Sequence, residues 1–103
     1  MFKYKIDGVI EAVHYAPDGK IAWVRVYERR GPTYSDRVLL DRETLLARLK
    51  AKKLFVIGRR LPHVASTFDV SLPVRVIREQ DTEVVVTGYL HSPHDRLEGA
   101  PII

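Results

Sequence analysis

Phe2, Tyr4 and Ile6 alternate with Lys3, Lys5 and Asp7, the period-2 pattern of a strand with one face turned to a core. Gly8 interrupts the alternation, which resumes less cleanly through Tyr15. One long strand with a bulge or bend at Asp7 and Gly8 is predicted. "APDGK" at 16–20 predicts a hairpin turn, Pro17 fixing φ and Gly19 supplying a positive φ. A second strand follows over about 21–29, then a loop in "RGPTYSD" and a short strand around 37–40.

The period then changes. Asp41 suits an N-cap, Glu43 suits the positive end of a helix dipole, and Leu45, Leu46 and Leu49 share one helical face. A helix over about 42–52 is predicted, with the stems of Arg48, Lys50 and Lys52 flanking the leucines. Residues 53–58 read as a strand. "TFDVSLPVRVI" then alternates cleanly, placing Phe68, Val70, Leu72, Val74 and Val76 on one face. Pro73 falls opposite, which marks an edge or a bend. "REQDTE" is a turn into a last strand over 84–90, and the stretch from His91, with two prolines and a glycine, is expected to be irregular or partly disordered.

These elements predict a mainly β fold: a small closed or half-open β-barrel of five to six strands, OB-like or SH3-like, with one α-helix at about 42–52. Residues 1–90 would form the single barrel domain and 91–103 an irregular C-terminal tail. A chain of 103 residues is the size of one modest core.

Composition narrows the chemistry. No apolar run approaches the roughly 20 residues that cross a bilayer, and "MFKYKIDG" lacks the apolar region of a signal peptide. Cysteine is absent, which excludes disulfides, thiolate catalysis and zinc sites built on sulfur. A cytoplasmic, non-membrane protein is the expectation. There is no Asn and a single Gln, a thermophile-like depletion that also leaves few side chains able to read adenine.

Charge is uneven along the chain. Residues 1–41 carry a net +1, residues 42–62 carry +6, and residues 63–103 carry −3. Within the middle section, "ARLKAKKLFVIGRRLP" holds six cations and no acid; phosphates are its natural partner, with acids of the last third as the internal alternative.

The strand "IAWVRVYER" is the most suggestive stretch. One face presents Ala22, Val24 and Val26, and the other Ile21, Trp23, Arg25, Tyr27 and Arg29. Aromatics alternating with arginines suit a single-stranded nucleic acid, bases stacking on rings while guanidiniums meet phosphates. Lys3, Lys5, Arg59 and Arg60 would extend that surface. The competing structural reading buries Trp23 and Tyr27 and lets Arg25 bridge to an acid on the next strand.

Other constellations are weaker. Gly58 before Arg59 and Arg60 could cradle one phosphate, although no P-loop or dinucleotide fingerprint accompanies it. His91, His94 and Asp95 have a spacing compatible with a metal, yet lie in a proline-interrupted segment, and no metal or cofactor is expected. "HVASTFD" brings His63, Ser66, Thr67 and Asp69 close in sequence without a nucleophile elbow, so no enzyme is expected. The leading expectation is a non-enzymatic module binding single-stranded nucleic acid with low specificity. A homodimer with the Trp23 and Tyr27 face in its interface is the alternative, and a phosphate or nucleotide sensor a further one.

Overall fold

A computed structural model describes residues 6–61, 68–88 and 92–103; Lys3, Lys5, His63, Ser66, Thr67 and His91 lie outside these described residues. The chain forms β1 (Gly8–Tyr15), β2 (Ile21–Arg30), β3 (Thr33–Asp41), α1 (Arg42–Lys50), β4 (Phe55–Arg60), β5 (Phe68–Glu79) and β6 (Thr82–Thr87). The strands make one sheet in the order β3-β2-β1-β4-β5-β6. All neighbours are antiparallel except β1 and β4. That pair runs parallel because α1 carries the chain back from the end of β3 to the start of β4, as a parallel connection requires. The edge strands β3 and β6 do not pair with each other, so the sheet stays open, consistent with the half-open form of the expected fold. No helix among the described residues is long and apolar enough to cross a membrane.

Local sequence explains most of these boundaries. In the β1–β2 turn Ala16 and Lys20 pair through their backbones at 2.7 Å, and Gly19 adopts a φ of 88°. Asp41 caps α1 by accepting the Thr44 amide at 2.8 Å. The helix ends at Lys50, earlier than expected, and Lys52 takes a left-handed φ of 68° to turn the chain into β4. β3 is longer than the short strand expected, because most of "RGPTYSD" joins the ladder.

Bulges decide which side chains face inward. The amides of Asp7 and Gly8 share the Leu54 carbonyl, the irregularity foreseen there. A further bulge falls between Ile10 and Ala12, so Ile10 and Val13 both reach the core. β5 has its own, between the pairs Val56–Pro73 and Gly58–Val70. The single apolar face read from "TFDVSLPVRVI" is therefore split: Val74 enters the main core, while Phe68 packs on Tyr27. An extra residue reverses the facing of everything beyond it. At Pro73, β5 leaves β4 and begins to pair with β6.

The main core lies between the sheet and α1. Ile10, Val13, Val24, Val26, Phe55, Ile57 and Val85 form one buried cluster with Leu45 of the helix. Gly8 makes room for the Phe55 ring, since a Cβ there would lie 2.5 Å from it. The opposite face is also dry at its centre, where Val9, Val56 and Tyr27 are buried. Phe68 covers it, with ring centres 5.1 Å from Tyr27 and 4.9 Å from Tyr34.

Residues 92–103 are packed against the sheet. Arg96 donates its amide to Val85 on the outer edge of β6, and Val13 of β1 exchanges backbone bonds with Pro101 and Ile103. Leu97 is buried in the core. The 92–103 segment thus runs from the edge of β6 to the half of β1 that β4 no longer accompanies.

Candidate nucleic-acid interface

The side chains of β2 divide between display and burial. Trp23 is half-buried and stacks on His14 of β1, rings 5.0 Å apart and 17° from parallel. His14 is held in turn by a 2.6 Å contact between its Nδ1 and the Ile103 carbonyl. One indole face is therefore occupied, and the ring is steadied from below. Tyr27 is buried; its hydroxyl accepts from Arg37 Nε at 2.8 Å and its ring meets Phe68. It belongs to the structure of this chain and presents no free face for a base, which corrects its expected stacking role. Ile21 likewise sits in the core.

Arg25 lies 2.7 Å from Glu11 Oε1 on the neighbouring strand, and Arg37 lies 2.9 Å from the same oxygen. Glu11 is the residue that the β1 bulge inserts. The Arg25–Glu11 contact is ionic rather than a well-aligned hydrogen bond. Arg25 is thus the bridge to an adjacent acid that the structural reading anticipated. The Arg37 pKa is raised, chiefly by its hydrogen bond to the Tyr27 hydroxyl and then by the Glu11 charge.

The basic run 47–62 does not gather on one surface. Arg59 and Arg60 stand exposed at the far end of β4, with Arg59 only loosely paired to Asp69 at 3.7 Å. Gly58 lies inside the β4–β5 ladder, where a Cβ would come within 2.8 Å of the Asp69 carbonyl. This glycine admits a neighbouring strand, and its backbone is not an open anion cradle. Arg48, Lys50, Lys52 and Lys53 lie at the opposite end of β4, about 17 Å away at the rise of a strand. Two of these cations are paired, Arg48 with Glu28 at 3.1 Å and Lys50 with Glu83 at 2.7 Å. The Lys50 ammonium holds the Glu83 carboxyl below its ordinary range.

That end of the sheet nonetheless collects positive charge from two regions of the sequence. A depression of about 190 Å³ is lined by Asp7, Glu28, Arg29, Arg48, Lys53 and Phe55. An adjoining one of about 230 Å³ is lined by Glu28, Arg29, Arg30 and Arg48. Four cations therefore surround two carboxylates, and Asp7 is already committed to the Leu54 amide at 2.8 Å. The Arg29 guanidinium is 5.7 Å from the Tyr34 ring centre. Arg30 and Lys53 are exposed and make no ion pair among the described residues. Arg30 was not singled out in the sequence, because the charge around it averages nearly to zero.

A second unforeseen arrangement is structural. Asp95 is buried and accepts from the Ile21 amide (2.8 Å), the Val85 amide (3.0 Å), and Arg42 Nε and Nη2 (2.7 and 3.1 Å). Burial pushes its pKa upward, but Arg42 and the two amides outweigh it and hold the carboxyl below its usual range. Its role is to tie β2, β6 and α1 together, and no group of three or more possible metal ligands occurs among the described residues. The partners of Asp95 are 10 to 74 residues distant in sequence, so no local motif announced it.

No protein-family model, curated protein or solved structure matches this chain. Its functional reading accordingly rests on its own residues.

Proposed function

We propose that this chain is a non-enzymatic module that binds single-stranded nucleic acid with low sequence specificity. The observation that carries the reading is the convergence of Arg29, Arg30, Arg48 and Lys53 on adjoining depressions at one end of the sheet. Arginines and lysines grouped in this way neutralise successive phosphates, with affinity supplied largely by counterion release. Trp23 lies on the same strand as Arg29 and Arg30, about 20 Å away at the strand rise. It offers its outer ring face to one base, while Arg25 and Tyr27 between them serve the fold. The near absence of amide side chains fits a backbone-directed contact better than readout of base edges.

Arg30→Ala with Lys53→Ala tests this directly, since both side chains are exposed and their loss leaves the core untouched. The log–log salt slope for a short oligothymidylate should fall by about 1.4, near 0.7 for each phosphate contact on a single strand. An unchanged slope, measured by fluorescence anisotropy, contradicts the assignment of these cations to phosphates.

A further inference from the structure

The two edges of the sheet are treated differently. β6 has its outer edge occupied by the 92–103 segment through the Arg96–Val85 bond. β3 ends the sheet on the other side, with no backbone partner beyond it among the described residues. An uncovered strand edge is a template for a further strand.

β3 is regular over only part of its length. Between the pairs Tyr27–Arg37 and Arg29–Tyr34 it contains an extra residue. There the Ser35 hydroxyl substitutes for the ladder, accepting the Glu28 amide at 3.0 Å and donating to the Asp36 carbonyl at 2.8 Å. Beyond Asp41 the helix begins. The usable edge is therefore residues 37–41, "RVLLD", and its midpoint is Leu39. Leu39 is 59% exposed.

This segment is complementary to itself. A twofold axis through Leu39 sets Leu39 opposite its own copy, Val38 opposite Leu40, and Arg37 opposite Asp41 twice. Moving the axis to Arg37 or Asp36 would oppose like charges, which destabilises a ladder. Arg37 commits its Nε to Tyr27 and Glu11, leaving its terminal nitrogens available. Asp41 uses one carboxylate oxygen for Thr44, leaving the other available.

We infer that two copies of this chain associate through residues 37–41 of β3, antiparallel and centred on Leu39, to form one continuous sheet. This interface differs from one built on the Trp23 and Tyr27 face, and it stands independently of nucleic-acid binding.

Sedimentation equilibrium of the full chain should show a monomer–dimer equilibrium. Leu39→Lys, which places two ammonium groups on the axis, should raise the dissociation constant by about tenfold or more. The register can be read by cross-linking, because the native chain has no cysteine. Leu39→Cys should form a disulfide-linked dimer under mild oxidation, since directly opposed Cα atoms are about 4.5–5.5 Å apart. Arg37→Cys should not, its copies being displaced by about 13 Å along the strands. A chain that stays monomeric at high concentration, a dimer indifferent to Leu39→Lys, or cross-linking through Arg37→Cys in place of Leu39→Cys would each overturn the inference.

Discussion

Asp95 joins three elements with one carboxylate, and its removal should be felt across the molecule. Asp95→Asn leaves Arg42, whose side chain is only 20% exposed, without its ionic partner. Breaking a buried pair of this kind costs about 3 kcal/mol or more, a large share of a small domain's stability. Urea denaturation should show that loss at neutral pH. Because the folded carboxyl has a lowered pKa, the unfolded chain takes up the proton first on acidification. The contribution is present above the unfolded value of about 3.9 and disappears as pH falls through the folded one. The gap between wild type and Asp95→Asn should therefore narrow below about pH 4; a gap independent of pH would contradict the ionic account. Gly58 gives a second test at this scale. Gly58→Ala drives a methyl against the backbone carbonyl of Asp69, and the strain should cost about 1–3 kcal/mol in the same experiment. A neutral Gly58→Ala would mean that β4 and β5 are not so closely apposed.

At the scale of elements, helix and turns were legible because their signals are local. Asp41, Glu43 and the leucine triplet announced α1, and "APDGK" announced the first hairpin. What stayed hidden was the facing of side chains. Period-2 patterns state which residues alternate, but a bulge changes which side they reach; Pro73 marked a bend in β5, whereas the bulge at Glu11 carries no marker residue. Tyr27 lies on the face opposite Val24 and Val26, as its alternation predicts, but it is buried because Phe68, from a strand three places away in the sheet, covers it. The turn between β5 and β6 was recognised from its polar residues, yet its strain was not. Gln80 and Asp81 both adopt left-handed φ values, 47° and 67°. Side chains bear a penalty of about 1 kcal/mol or more in that region. Asp81→Gly should thus stabilise the protein by up to about 1 kcal/mol, seen as a higher melting temperature. A lower one would show that the Asp81 side chain contributes contacts that glycine removes.

For the molecule as a whole, the sequence showed that positive charge was concentrated but not where it would gather. The run from 47 to 62 is divided by the length of β4, with Arg59 and Arg60 at one end and Arg48 and Lys53 at the other. Arg29 and Arg30 join the second group because β2 ends where α1 ends and β4 begins. Chain reversal, rather than proximity in sequence, built the basic site. Trp23 lies on the expected strand and is half-buried, between the displayed and the buried alternatives, while its support by His14 came from cross-strand register that the sequence left unstated.

In the proposed interface, β2 presents cations for phosphates at its end and a stacking ring near its start. The most direct test is the Trp23 emission and the anisotropy of a labelled oligothymidylate, followed together across a range of salt. Trp23 is the only tryptophan, so its emission reports one site. Quenching that saturates with binding, together with an affinity that falls log-linearly as salt rises, is the result this account predicts. Binding that leaves Trp23 emission unchanged would remove the stacking ring from the interface, and no binding even at low salt would contradict the nucleic-acid reading altogether.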